Sequence, residues 1–137
     1  MRRAHILPGE TVNGTPFGSS EREVLEDLAH RGGVGERRHN VDGELELVCD
    51  GAIYRVRDNC FVECTFPAWG ESGYRAVVGG VDVLNVFDWL AAQPDVIEIA
   101  RFRISQEQGI AYDFRQPQHG SFTVFQRGHW AGLLAGL

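Results

Sequence analysis

The sequence predicts an α+β fold, antiparallel sheet with helices on one face, and three observations lead there. The first is a helical segment that recurs. Ser20-Glu21-Arg22-Glu23-Val24-Leu25-Glu26-Asp27-Leu28-Ala29 aligns without a gap on Asp82-Val83-Leu84-Asn85-Val86-Phe87-Asp88-Trp89-Leu90-Ala91. Each copy opens on a helix-capping residue and then places apolar residues at helical spacing. The second is that the segments downstream recur too. Gly51-Ala52-Ile53-Tyr54-Arg55-Val56-Arg57 matches Gly109-Ile110-Ala111-Tyr112-Asp113-Phe114-Arg115, and Asn59-Cys60-Phe61-Val62 matches Gly120-Ser121-Phe122-Thr123. The third is a set of short apolar runs punctuated by turn dipeptides, the mark of β-meanders. The expected plan is one domain over residues 1–137, built from two tandem helix-plus-meander units at 10–66 and 74–127.

Each element has its own local reason. Residues 5–17 read as an extended lead-in broken by Pro8-Gly9 and by Asn13-Gly14, a strong turn dipeptide. The first helix is expected over 19–31, opened by the capping box of Ser20 and Glu23 and stopped by Gly32-Gly33. Residues 33–40, with Arg37, Arg38 and His39, read as a polar loop. Glu44-Leu45-Glu46-Leu47-Val48-Cys49 alternates acidic and apolar, which predicts a strand with one wet and one buried face. Asp50-Gly51 and Asp58-Asn59 are turns, so 52–57 and 60–66 complete a meander with Glu44, Glu46, Arg55, Arg57 and Glu63 outside. The halves are joined by an irregular loop from Pro67 to Gly73. Tyr74 to Val78 is strand-like, Gly79-Gly80 leads to a second helix at 82–93 capped by Asp82, and strands follow at 96–105, 109–115 and 121–127. The tail from His129-Trp130 is expected to cover an open part of the core.

Composition narrows the function classes. At 137 residues with 43% hydrophobic and 23% charged residues, the chain reads as one ordinary globular domain. A formal net charge of −6 argues against general nucleic-acid binding, which needs a basic footprint. All 13 basic residues are arginine, whose planar fork suits carboxylates. No apolar run has the length of a membrane span, and the first residues lack the apolar core of a signal peptide. Three cysteines with no CxxC pair point to a reduced, cytoplasmic protein.

The residues that carry chemistry elsewhere do not assemble into a catalytic motif here. His5, His30, His39, His119 and His129 are scattered and read as solvated loop residues, although His119 and His129 flank the last strand. Cys49, Cys60 and Cys64 read as buried, inert thiols rather than a three-thiolate zinc site. There is no GxSxG, and Gly32-Gly33-Val34-Gly35 follows a helix instead of preceding one, which excludes a phosphate loop. Arg55 and Arg57 among Glu44, Glu46 and Glu63 suggest a neutralised face, not a raised-pKa acid. No catalytic residue, cofactor or metal is expected. Recognition fits better: Trp69 lies in a glycine-flanked loop with Glu71 and Tyr74, and Trp89 lies off the apolar stripe of its helix. These four, with Glu44 and Glu46 as charged contacts, are the candidate partner-binding residues.

The stretch Thr15-Pro16-Phe17-Gly18-Ser19-Ser20-Glu21-Arg22-Glu23-Val24 and the meander from Glu44 to Phe66 resemble those of immunity proteins encoded beside bacterial polymorphic toxins. The doubled plan is also similar to the tandem fold of the β-lactamase inhibitor protein and to the single unit of the outer-membrane assembly lipoprotein BamE. No lipid-attachment cysteine follows the start, so the lipoprotein role does not carry over. The resemblance implies a non-catalytic cytoplasmic protein that binds a cognate toxin domain, one with a basic surface, and blocks it. The runner-up is a small-molecule-binding or enzymatic domain with a pocket between helices and sheet near Tyr54, Tyr112 and the histidines.

Overall fold

The computed structural model describes residues 2–115 and 120–134, and is built from two sheets sharing one core. In chain order the elements are β1 (Arg2–Leu7), β2 (Thr11–Val12), β3 (Thr15–Pro16), α1 (Glu21–Ala29), β4 (Glu36–His39), β5 (Leu45–Cys49), β6 (Ala52–Arg57) and β7 (Cys60–Pro67). They continue as β8 (Tyr74–Val78), β9 (Val81–Val83), α2 (Val86–Ala91), β10 (Ile97–Ile99), β11 (Phe102–Ser105), β12 (Ile110–Asp113), β13 (Ser121–Phe125) and α3 (Ala131–Leu134). The larger sheet has eight strands, all antiparallel, in the order β10-β11-β12-β13-β7-β6-β5-β4. Two four-strand meanders therefore meet through their last strands, with Thr123 opposite Thr65. The smaller sheet has the order β3-β2-β1-β8-β9 and is mixed, because β1 and β8 run parallel.

Local chemistry sets most boundaries. Ser20 and Glu23 form the expected capping box, and Gly33 N–H closes the helix end on the Leu28 carbonyl at 2.9 Å. Val24 and Leu28 are fully buried, and the chain ahead of α1 is stitched to β7 by reciprocal backbone bonds between Gly18, Ser19 and Phe61. Asn13 and Gly14, both at positive φ, turn β2 into β3. α2 buries Val86 and Leu90, and Arg103 on β11 holds it by stacking 3.7 Å over the Phe87 ring and donating to the Phe87 carbonyl.

Several expected boundaries move. Residues 36–39 form β4 rather than a loop. All four side chains are exposed, so this edge strand offers no apolar period to read. Asp82 does not cap α2: Gly79 and Gly80, both at positive φ, make a tight turn that pairs Val77 with Asp82, and Asn85 caps the helix instead. The helices therefore start three residues out of step with the gapless alignment. The expected strand at 96–105 is a hairpin, broken where Ala100 adopts φ 53.

The core carries Tyr54, Phe61, Cys64, Phe66 and Phe122 from the larger sheet, Ala4, Ile6, Ala76 and Val83 from the smaller one, and the apolar residues of both helices. A second cluster of Ile104, Ala111 and Phe125 lies on the other face of the large sheet. Trp130 covers it, stacked on Phe125 at 5.0 Å and edge-on to Phe102 at 5.3 Å, which is the covering role expected of the tail.

The register of β7 shifts between Arg55 and Val56 of its neighbour: Arg55 faces Glu63, Val56 faces Phe61, and Val62 is the extra residue of a bulge. One extra residue reverses the alternation. Cys64 is fully buried in the core, whereas Cys60 turns to the opposite face and is only half-buried. Two of the three thiols match the buried reading and Cys60 does not. Burial pushes the thiols of Cys49 and Cys64 up, the latter strongly. Ellman's reagent added to the native protein should therefore modify Cys60 first, with Cys49 and Cys64 following only on unfolding. Equal, fast reaction of all three would contradict this packing.

Candidate functional site

The outer face of the first meander carries the residues read from the sequence as its wet side, but of these only Arg57 is exposed. Glu44 and Glu46 are each only 6% exposed. Glu46 is enclosed by guanidinium groups: Arg38 Nε donates to Oε1 at 2.7 Å from the edge strand, and Arg55 Nε donates to Oε2 at 2.8 Å from β6. Glu44 is held by Asn40, whose Nδ2 donates to its Oε1 at 3.0 Å, while Arg57 lies 3.6 Å from its other oxygen. Asn40 also accepts the backbone N–H groups of Asp42 and Glu44 on its side-chain oxygen, so one residue shapes the β4–β5 turn and orients a buried carboxylate.

Arg55 is the hub. Its Nη1 donates to Glu63 Oε2 at 3.0 Å and to Thr65 Oγ1 at 2.6 Å, and Thr65 is hydrogen-bonded to Thr123 at 2.8 Å across the seam between the meanders. Glu63 uses its other oxygen, Oε1, to meet His129 Nε2 at 3.1 Å. His129 is thus brought from the tail onto the sheet, with its side chain 14% exposed; it is not a solvated loop residue. His119 lies outside the described residues. Glu44, Glu46, Arg55, Glu63 and Thr65 floor a groove of about 350 Å³ that also takes in Asp42, Asp113, Arg101 and Trp130.

The electrostatics favour fixed charge. Burial alone would raise the Glu63 carboxyl, but His129 and Arg55 outweigh it and hold it below the usual carboxylate range. Glu46 is lowered in the same way, by Arg38, Arg55 and Asn40 against its burial. Neither carboxyl is a proton donor at neutral pH, which agrees with the sequence reading of a neutralised face.

The remaining expected contacts are dispersed. Trp69 is 49% exposed and Glu71 is exposed, both in the loop after β7. Gly73 holds this loop tight: a Cβ there would meet the Trp69 backbone at 2.6 Å. Tyr74 is 8% exposed, with its hydroxyl donating to the Asp50 carbonyl at 2.7 Å and its ring under Arg2, so it anchors the loop from inside instead of presenting a surface. Trp89 is half-buried against the core.

The alternative pocket is only partly assembled. Tyr54 is buried and accepts from Asn13 Nδ2 at 3.1 Å, at the floor of a second cleft of about 380 Å³ beside Arg2, Arg3, His30 and Arg31. Tyr112 stands apart, packed 5.4 Å from the Phe87 ring. No family model, curated protein or solved structure matches this chain.

The groove network makes a stability prediction with a pH sign. Removing Arg55 leaves Glu46 and Glu63 buried without their shared cation, so Arg55→Met should cost about 3 kcal/mol at pH 7 in urea unfolding. Breaking the exposed Arg22–Glu26 pair with Arg22→Ala should cost no more than about 0.5 kcal/mol. Because Glu46 and Glu63 have depressed folded values, their contribution is present above the ordinary carboxylate range and is lost as pH falls through the folded values. The wild type should lose more stability than Arg55→Met between pH 7 and pH ~3.5; parallel losses would refute the assignment.

Proposed function

We propose that this chain is a non-catalytic binding protein of the toxin-immunity class, which occupies the basic surface of a cognate bacterial toxin domain in the cytoplasm. The observation that supports it most is the groove: a built array of ionised groups on the partly covered outer sheet face, whose carboxylates are committed to holding charge and not to moving protons. Fixed charge with locked side chains suits recognition, since it steers association and fixes register. Beside the groove, Pro67 pairs with Ser121, and the chain then enters the tight loop that presents Trp69 and Glu71. A half-exposed tryptophan on a rigid loop next to acidic groups has the composition of an interface anchor. A nucleic-acid-targeting toxin carries a cationic cleft for phosphate, which an acidic inhibitor can fill.

We infer, further, that the chain arose by duplication of a helix-plus-meander unit whose helices share one face of the large sheet. The placement of β6 and β12, each next to the central β7–β13 pair, supports this, since they carry the matched Gly-x-x-Tyr segments. The out-of-step helix caps count against a strict copy.

A second reading rests on the cleft at Tyr54, whose arginines and histidine suit a small anion. The two readings separate by experiment. Purified wild-type chain should bind the product of the adjacent toxin gene with one-to-one stoichiometry and rescue cells that express it. Trp69→Ala should weaken binding by about 2 kcal/mol, mainly through faster dissociation. Asp42→Arg with Glu71→Arg, at exposed positions that leave the buried network intact, should slow association and flatten its salt dependence. Absence of binding at low salt, together with a thermal shift from phosphate, would transfer the function to the Tyr54 cleft.

A further inference from the structure

We propose that Glu44, Glu63 and His129 form a binding site for a divalent transition-metal ion, with zinc as the reference cation. One ligand atom from each lies within 4.8 Å of the other two. The donors come from three separate places, the turn just before β5, the middle of β7 and the segment before α3, so their convergence is a product of the fold and not of a local run of acid. Two ligands on one ion at about 2.1 Å stand roughly 3.0–3.4 Å apart for bond angles between octahedral and tetrahedral. The 3.1 Å between Glu63 Oε1 and His129 Nε2 matches such an edge. Ligation and the Glu63–His129 hydrogen bond exclude one another, because Nε2 must be unprotonated to bind the ion and a neutral imidazole then carries its one proton on Nδ1.

The surroundings are those of a ligand set. Metal-binding carboxylates are themselves held by outer hydrogen bonds, which fix which oxygen faces the ion. Arg55 takes Glu63 Oε2 and so leaves Oε1 to the site, and Asn40 holds Glu44 by its Oε1. The charges also favour a cation. Glu46 is matched by Arg55 at 2.8 Å and Asp113 by Arg101 at 3.0 Å. Glu36 is matched by Arg38. Arg55 also pairs with Glu63 at 3.0 Å, and the half-exposed Arg57 lies 3.6 Å from Glu44. Glu36, Glu44, Glu46 and Glu63 therefore face three guanidinium groups and keep an excess of negative charge for the ion. One imidazole and two carboxylates without a thiolate select borderline cations over calcium or magnesium, because only the nitrogen donor distinguishes them. The groove lined by Glu44 and Glu63 supplies room for water on the carboxylate side of the site. The site does not depend on the partner proposed above, and its test uses the isolated chain.

The experiment is calorimetric titration of chelator-treated full-length protein with zinc chloride, and of a separate sample with cobalt chloride read by visible absorption. Cys60→Ser serves as the background in every arm, to remove the half-exposed thiol. One zinc per chain is expected; cobalt loaded on the separate zinc-free sample should show ligand-field bands of nitrogen and oxygen donors with no thiolate charge-transfer band, and added zinc should abolish them. His129→Ala should weaken zinc binding by at least ~10-fold. His129 lies on the tail segment, so this variant should keep the wild-type circular dichroism. Glu44→Gln, which retains the Asn40 hydrogen bond, should weaken binding comparably. Zinc affinity unchanged by His129→Ala, no binding at all, a thiolate band, or equal affinity for magnesium would each overturn the assignment.

Discussion

The geometry of the outer face depends on a single guanidinium. Arg55 sits at the middle of the first meander and divides its donors among Glu46 on β5 and Glu63 and Thr65 on β7. A planar fork can do this and an ammonium cannot, because the two edges of the group point along different strands. Through Glu63 the network reaches His129 and the tail; through Thr65 it reaches Thr123 and the second meander. The polar groups on this face are satisfied by one another, so burial of three carboxylates beside one another is tolerated. Only Arg75 Nε remains a buried polar atom without a partner among the described residues.

How much of this was legible in the sequence follows from the kind of signal each feature leaves. The α1 cap was legible because Ser20 and Glu23 act on each other within one turn. The turns at Asn13-Gly14 and Asp50-Gly51 were legible because positive φ selects those residues. β4 was not, since an exposed edge strand of Glu36-Arg37-Arg38-His39 has no buried face to impose a period. The bulge at Val62 was invisible for the opposite reason: the apolar pattern continues through it, and only the pairing shows that one residue is surplus. That hidden surplus is what misplaced Cys60.

The site was half legible. Alternation placed Glu44, Glu46, Arg55 and Glu63 on one face, and charge complementarity paired them. It gave no sign that this face is covered, because the covering groups come from elsewhere: Arg38 from an unrecognised strand, His129 and Trp130 from the tail. A histidine with no ligand partner nearby in sequence cannot be told from a solvated one by spacing alone. The aromatic pair Phe125 and Trp130 is the only trace, since an exposed apolar patch on the second meander requires a cover.

The parallel pairing of β1 with β8 has a consequence for the chain as it is made. Arg2 is aligned with Tyr74 and Ile6 with Val78, so β1 leaves the ribosome well before its long partner and waits until the whole first meander has emerged. β7 likewise waits for β13. The nascent chain thus exposes two ladder edges at once, and both close only when the second half arrives. Non-local closure of this kind makes folding slow relative to a helical protein of equal size. The early half is held together meanwhile by α1 docking on β7 and by Arg55, both local to it, while the N-terminal strand stays available to the wrong neighbour.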